Sequence, residues 1–229
     1  MRTLDILFDP ADLFKRLNDR PNWLTPFVIV TLLAALSTAL LAPVIEQLAI
    51  KQMPEGVSAD LQERMLSSIL LSKYYGIAIV PVVVLLKWSI LAFLLFGVAI
   101  LVGADTSYRK ALSVLGHASI ITSLDTLANV VVIYLRGVET IQSPSDIQAT
   151  VVSPAYLLSA SAHPAFRVAL ENLNLFSLWY FALLWMGLYQ TARLSKLQSA
   201  FVVGVLWILQ TSFLVILTLI FSRISAASI

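Results

Sequence analysis

Lys87, His117, Asp125 and Asn129 are the side chains with the most chemistry to offer in a chain dominated by apolar stretches. Each lies inside such a stretch, where a polar group costs about 2.5 kcal/mol or more unless partnered, so each marks either a structural bond or a site. His117, Ile121, Asp125 and Asn129 follow a four-residue step and share one stripe of a helix. Lys87 lies 19 positions before residue 106, in a short polar break, and Asp125 lies 19 after it. Two antiparallel helices joined at that break hold the two charges at one depth, and a Lys there cannot reach either interface by stretching its stem. A Lys87–Asp125 ion pair is therefore expected. In its plain role the pair fixes the register of a hairpin, with His117 and Asn129 bonding neighbouring groups. In its sharper role it belongs to a wet cavity for an ion, a proton or a lipid head group, with Pro81 freeing a backbone carbonyl about four residues earlier. Gln210 either faces that cavity or bonds a neighbouring helix.

Five apolar runs must position these residues: 21–45, 74–103, 111–135, 172–192 and 197–222. A hydrocarbon core about 30 Å thick takes roughly 20 apolar residues of helix, and every run is that long. The fold class is all-α: a polytopic membrane protein with membrane helices at about 24–45, 74–103, 110–135, 172–192 and 198–222, forming one domain over 1–229. Composition agrees, with 59% hydrophobic residues, 12% charged and a mean hydropathy of +0.88. The net charge of +2 includes no long basic run, so no nucleic-acid partner is expected. The first residues hold three acids and no apolar core before a cleavage site, so no signal peptide is expected and the first helix stays.

Residues 1–20 form a cytoplasmic segment. Asp9 suits an N-cap, Pro10 a first helical position, and Leu13, Phe14 and Leu17 share a face opposite Lys15, Arg16 and Asp19. This predicts a short amphipathic helix, either interfacial or packed on the bundle. Trp23 stands where an aromatic belt lies. Ser58 is expected to cap a helix running into the second span, and Ser153-Pro154 to start another over 154–162. His163-Pro164 begins the run into the fourth span.

Lys and Arg retained in cytoplasmic loops set orientation. With the N-terminus inside, Arg2, Lys15, Arg16, Arg20, Arg109, Lys110, Arg193 and Lys196 fall on the cytoplasmic face within short segments. Lys51, Arg64, Lys73, Arg136, Arg167 and Arg223 are spread over longer outer ones. The N-terminus is expected in the cytoplasm and the C-terminus outside.

No catalytic set is present. With two His, at 117 and 163, and no Cys, neither a transition-metal site nor thiol chemistry is expected. No phosphate loop, GxSxG or HExxH occurs, and Asp125 is the one acid deep in a span, so no enzyme and no cofactor is expected. Gly187 and Thr191 form a small-xxx-small pair for close helix packing, in a tight antiparallel pairing of the fourth and fifth spans. Ser107 to Gly116 and Ser195 to Gly204 repeat one spacing across the two basic turns.

The stretch 172–179 (NLNLFSLW), with Gly187-Leu188, Leu194-Ser195-Lys196 and Ala200, resembles the signature of bacterial Yip-domain (Ypt-interacting-protein-like) membrane proteins. SPAYLL at 153–158, Gly103 to Ala111 with Ser107 and Lys110, and Phe8, Pro10, Phe14, Pro21, Trp23 and Pro26 are similar to other parts of that family. The resemblance implies five membrane helices with a cytoplasmic N-terminus in a bacterial cytoplasmic membrane. Eukaryotic members are associated with small GTPases through a longer N-terminal region and an Asp-Leu-Tyr-Gly-Pro stretch, neither of which is found here. The function expected is therefore non-enzymatic: a membrane-organising or interaction protein that binds membrane lipids or other membrane proteins, as a homo-oligomer. The rival is a small channel or transporter using the stripe of Lys87, His117, Asp125 and Asn129.

Overall fold

The computed structural model describes residues 3–52, 58–142, 146–147, 153–158 and 162–227. Among these the helices are α1 Asp5–Phe8, α2 Pro10–Asp19, α3 Leu24–Lys51, α4 Ala59–Leu101, α5 Tyr108–Arg136, α6 Pro164–Glu171, α7 Leu175–Thr191 and α8 Lys196–Ala227. Two 3-10 turns, Val138–Thr140 and Pro154–Leu157, complete the order, and the described residues contain no strand.

Helices α3, α4, α5 and α8 are each long and apolar enough to cross a membrane. The fourth expected span differs from a straight helix over 172–192. Helix α7 has 17 residues, about 25 Å at 1.5 Å per residue and short of the hydrocarbon core. It joins α6 at a bend of 62°, so the described residues hold four helices long and apolar enough to cross a membrane, and five spans when the bent pair counts as one. The cause is local and polar. Asn174 caps α7 by accepting from the Ser177 backbone N–H at 2.7 Å, while Ser177 Oγ donates to the Asn172 and Asn174 carbonyls at 2.8 Å. Backbone groups that helix continuity would have satisfied are thus bonded by side chains, and the chain can turn inside an apolar environment.

Helix α4 has 43 residues, about 64 Å of helix, so the stretch that begins at Ser58 runs unbroken into the second span and projects beyond the core. Ser58 holds the N-cap position without a side-chain cap bond. The helix expected over 154–162 is a single 3-10 turn, Pro154–Leu157, in which Ser153 Oγ accepts from the Ala155 N–H and donates to the Leu170 carbonyl. Positions 159–161 lie outside the described residues.

At one end of the bundle, Asp9 Oδ1 accepts from the Asp12 N–H and starts α2, whose Leu13, Phe14 and Leu17 are buried. Of the two placements open to this helix, its apolar face packs on the bundle, and Lys110 Nζ donates to Asn18 Oδ1 at 2.7 Å to pin it to the start of α5. The α4–α5 and α7–α8 turns meet at this same end. Asp105 N–H donates to the Ala192 carbonyl, Arg193 pairs with Asp105 at 2.9 Å, and Gln198 Nε2 donates to the Val102 carbonyl. Ser107 and Ser195 both cap the helices that follow them, accepting from the N–H groups of Lys110 and Gln198. At the other end, Lys51 Nζ donates to the carbonyls of Glu139 and Ile141 and ties α3 to the segment after α5.

Helix α5 is the central element. Every residue from Ala111 to Ile121 is buried, which explains how its hydropathy, lower than that of its neighbours, is tolerated. Gly116 admits the Trp88 ring of α4, since a Cβ built there would lie 2.8 Å from Trp88 Cζ3.

Candidate functional site

Asp125 does not pair with Lys87. Helix α4 turns Val80, Val84, Trp88, Ala92, Leu95 and Ala99 inward, and Lys87, about 100° around the helix from Trp88, faces outward and is exposed. The register of the α4–α5 hairpin is set by the Trp88 ring against Gly116, not by a charge pair. Lys87 has no hydrogen-bond or ion-pair partner among the described residues.

Asp125 instead opens onto a cleft of about 370 Å³ lined by Leu41 of α3, by Asp125, Asn129 and Ile133 of α5, and by the residues at the α6–α7 break. Its Oδ2 accepts from Asn174 Nδ2 at 3.3 Å and its Oδ1 from Asn129 Nδ2 at 3.5 Å. Asn174 also donates to the Glu171 carbonyl, so the amide that caps α7 is shared with the cleft's carboxylate. Glu171, the second acid, lies one helical turn after Arg167. Among the described residues Asp125 has only amide donors.

The other expected site residues separate. His117 is fully buried on the same stripe as Asp125 but short of the cleft. Its Nδ1 faces the Ser113 carbonyl at 2.8 Å, and its Nε2 has no bonding partner among the described residues. Gln210 does not line the cleft; it lies beside Tyr180 across the α7–α8 contact, and its Nε2 has no bonding partner among the described residues. Gly187 faces α5 and α2 rather than α8 alone, for a Cβ there would lie 2.3 Å from Val114 Cγ1 and 3.1 Å from Phe14 Cε1. Thr191 is buried and returns its hydroxyl to the Gly187 carbonyl at 2.7 Å.

Glu171, Asn172 and Asn174 were not singled out as site residues from the sequence. A signal was available: two Asn and a Ser within six positions of an apolar run are poor helix-interior residues and good caps. A broken span is where polar residues gather at membrane depth.

The fold and the cleft define a polytopic helical membrane protein with a polar pocket at the α6–α7 break. The Yip1 domain matches residues 4–218, and the chain belongs to that family. The resemblance seen in its aromatic, Gly and Pro positions is thereby borne out. The chain is also similar to the membrane protein YknW of Bacillus subtilis (strain 168), 28% identical over 193 residues that cover 83% of this chain and 78% of the relative. No solved structure matches it.

Proposed function

We propose that this chain is a non-enzymatic interaction protein of the bacterial cytoplasmic membrane whose cleft at Asp125 receives a positively charged group, an ammonium or guanidinium. The observation that carries this reading is a carboxylate in a 370 Å³ cavity, met by two amides and forming no ion pair among the described residues. In low dielectric the attraction of such a group for a cation is much larger than in water. Leu41, Val130, Ile133 and Ile147 give the same cavity an apolar wall, which suits an aliphatic stem behind a charged tip.

The continuous burial of 111–121 favours binding over conduction. That half of α5 is packed within the core, Trp88 among its neighbours, and none of the residues 111–121 lines the cleft at Asp125. Lys and Arg density supports the N-terminus and both short turns in the cytoplasm and the C-terminus outside. A reporter fused after Ile229 should then be active only in the outer compartment.

The test uses the full chain in nanodiscs with a single-chain alkylammonium amphiphile and the matching alkyl sulfate as probes, read by native mass spectrometry. The ammonium should be retained selectively, and Asp125→Asn should weaken it at least about tenfold, as loss of a charged hydrogen bond predicts. Equal retention of the two amphiphiles, or indifference to Asp125→Asn, overturns the reading.

A further inference from the structure

We infer that Lys87 of one copy docks into the Asp125 cleft of a second copy of this chain. The inference rests on the cation-binding reading of the cleft and names the group that fills it.

Lys87 is a charge stranded in hydrocarbon. Its neighbours on the helix surface, Val83, Leu86 and Ile90, are 51%, 59% and 61% exposed, so the face around it is apolar and uncovered within one copy. It lies 14 residues before the end of α4 at Leu101, about 21 Å along the axis, which in a core about 30 Å thick leaves about 9 Å to the other edge, more than a Lys stem spans. A cation held there costs several kcal/mol unless an anion meets it.

Asp125, which shares its cleft with Glu171, lies 17 residues into α5, about 26 Å from its start and so within a side-chain length of the Lys87 level. Lys87 cannot reach it inside one copy, because Trp88 fills the α4–α5 contact and turns Lys87 away. Each copy therefore displays an unpaired cation on an apolar face and an unpaired carboxylate in an open cleft at matching depth. A second copy meets both needs at once, and the cavity's aliphatic wall accommodates the Lys stem.

The chain has no Cys, so introduced cysteines report cleanly. Leu86→Cys, beside Lys87, and Thr126→Cys, on the cleft, are placed in two differently tagged full-length copies, co-reconstituted in nanodiscs and oxidised. Both positions are exposed, so neither change disturbs the packed interior. A mixed disulfide is expected between the two variants. Its yield should fall at least about tenfold when the first copy also carries Lys87→Met or the second Asp125→Asn. It should return when Lys87→Asp on one copy faces Asp125→Lys on the other. Disulfides only between two Leu86→Cys copies, a yield unaffected by Lys87→Met, or no mixed disulfide at all overturn the inference. Alkylammonium binding to the Lys87→Met protein separates the two readings. Binding that persists at Asp125 without any mixed disulfide removes the second copy and leaves the cleft's cation site standing, whereas loss of both removes the cleft reading itself.

Discussion

Replacing Gly187 with Ala adds one methyl group, and its neighbours make the consequence calculable. The new Cβ would lie 2.3 Å from Val114 Cγ1, 3.1 Å from Phe14 Cε1 and 3.2 Å from Val114 Cγ2. Carbon atoms settle at about 3.5–4.0 Å, so α7 must move away from α5 by about an ångström or Val114 must change rotamer. Neither is easy, since Val114 and Phe14 are both fully buried. Overpacking of this kind costs about 1–3 kcal/mol, and a contact as close as this one belongs at the upper end. The better helix propensity of Ala returns about 1 kcal/mol, leaving a net loss of about 2 kcal/mol. At roughly 2–4 °C per kcal/mol for a chain of this size, the thermal midpoint in detergent should fall by about 4–8 °C. Val114→Ala alone should also destabilise, by about 1.5–2.5 kcal/mol through lost burial and a cavity. Combined, the new methyl occupies the space the valine leaves, so the double variant should be at least about 1.5 kcal/mol more stable than the sum of the singles. Gly97→Ala is the control: no atom lies within 4 Å of a Cβ there, and the change should be neutral or stabilising by up to about 1 kcal/mol. A Gly187→Ala protein that melts at or above the parent, or strict additivity with Val114→Ala, would refute the α5–α7 packing on which this rests.

Asn174→Ala removes both the cap of α7 and a donor to Asp125, and should cost about 2–4 kcal/mol in thermal unfolding, clearly more than Asn172→Ala, whose amide bonds only the Val168 carbonyl. Equal losses would mean that the cap and the cleft are not coupled. Arg193 has a φ of +51°, and its bond to Asp105 is exposed, so Arg193→Gly should be neutral or stabilising by up to about 1 kcal/mol, while Arg193→Val should destabilise. Lys87→Met in dilute detergent-solubilised monomer should change stability by less than about 0.5 kcal/mol, because no intrachain partner is lost. A loss of about 3–5 kcal/mol there would restore the intrachain ion pair.

The Lys87 and Asp125 positions mark where local reading stops being enough. Length and hydropathy of an apolar run are additive along the chain, so α3, α4, α5 and α8 were legible in the sequence, as was the start of α2 at Asp9-Pro10, where cap and first turn depend on adjacent residues. The break at Asn172–Asn174 was written there too, in residues that cap better than they propagate a helix, although the run's overall hydropathy masks it. The depth of Lys87 and Asp125 could be counted, but their facing could not. Facing depends on how each helix is rotated about its axis, and one residue changes that by about 100°. The rotation of α4 follows Trp88, a large ring packed over Gly116 and edge-on to Phe27, so the adjacent Lys87 is turned outward and Asp125 is left to the Asn side chain at the α6–α7 break. The sequence by itself determined the membrane class, the number of apolar runs and the stripe on α5. Tertiary packing alone decided which side of each helix is buried, because that choice is a competition among side-chain volumes on different helices.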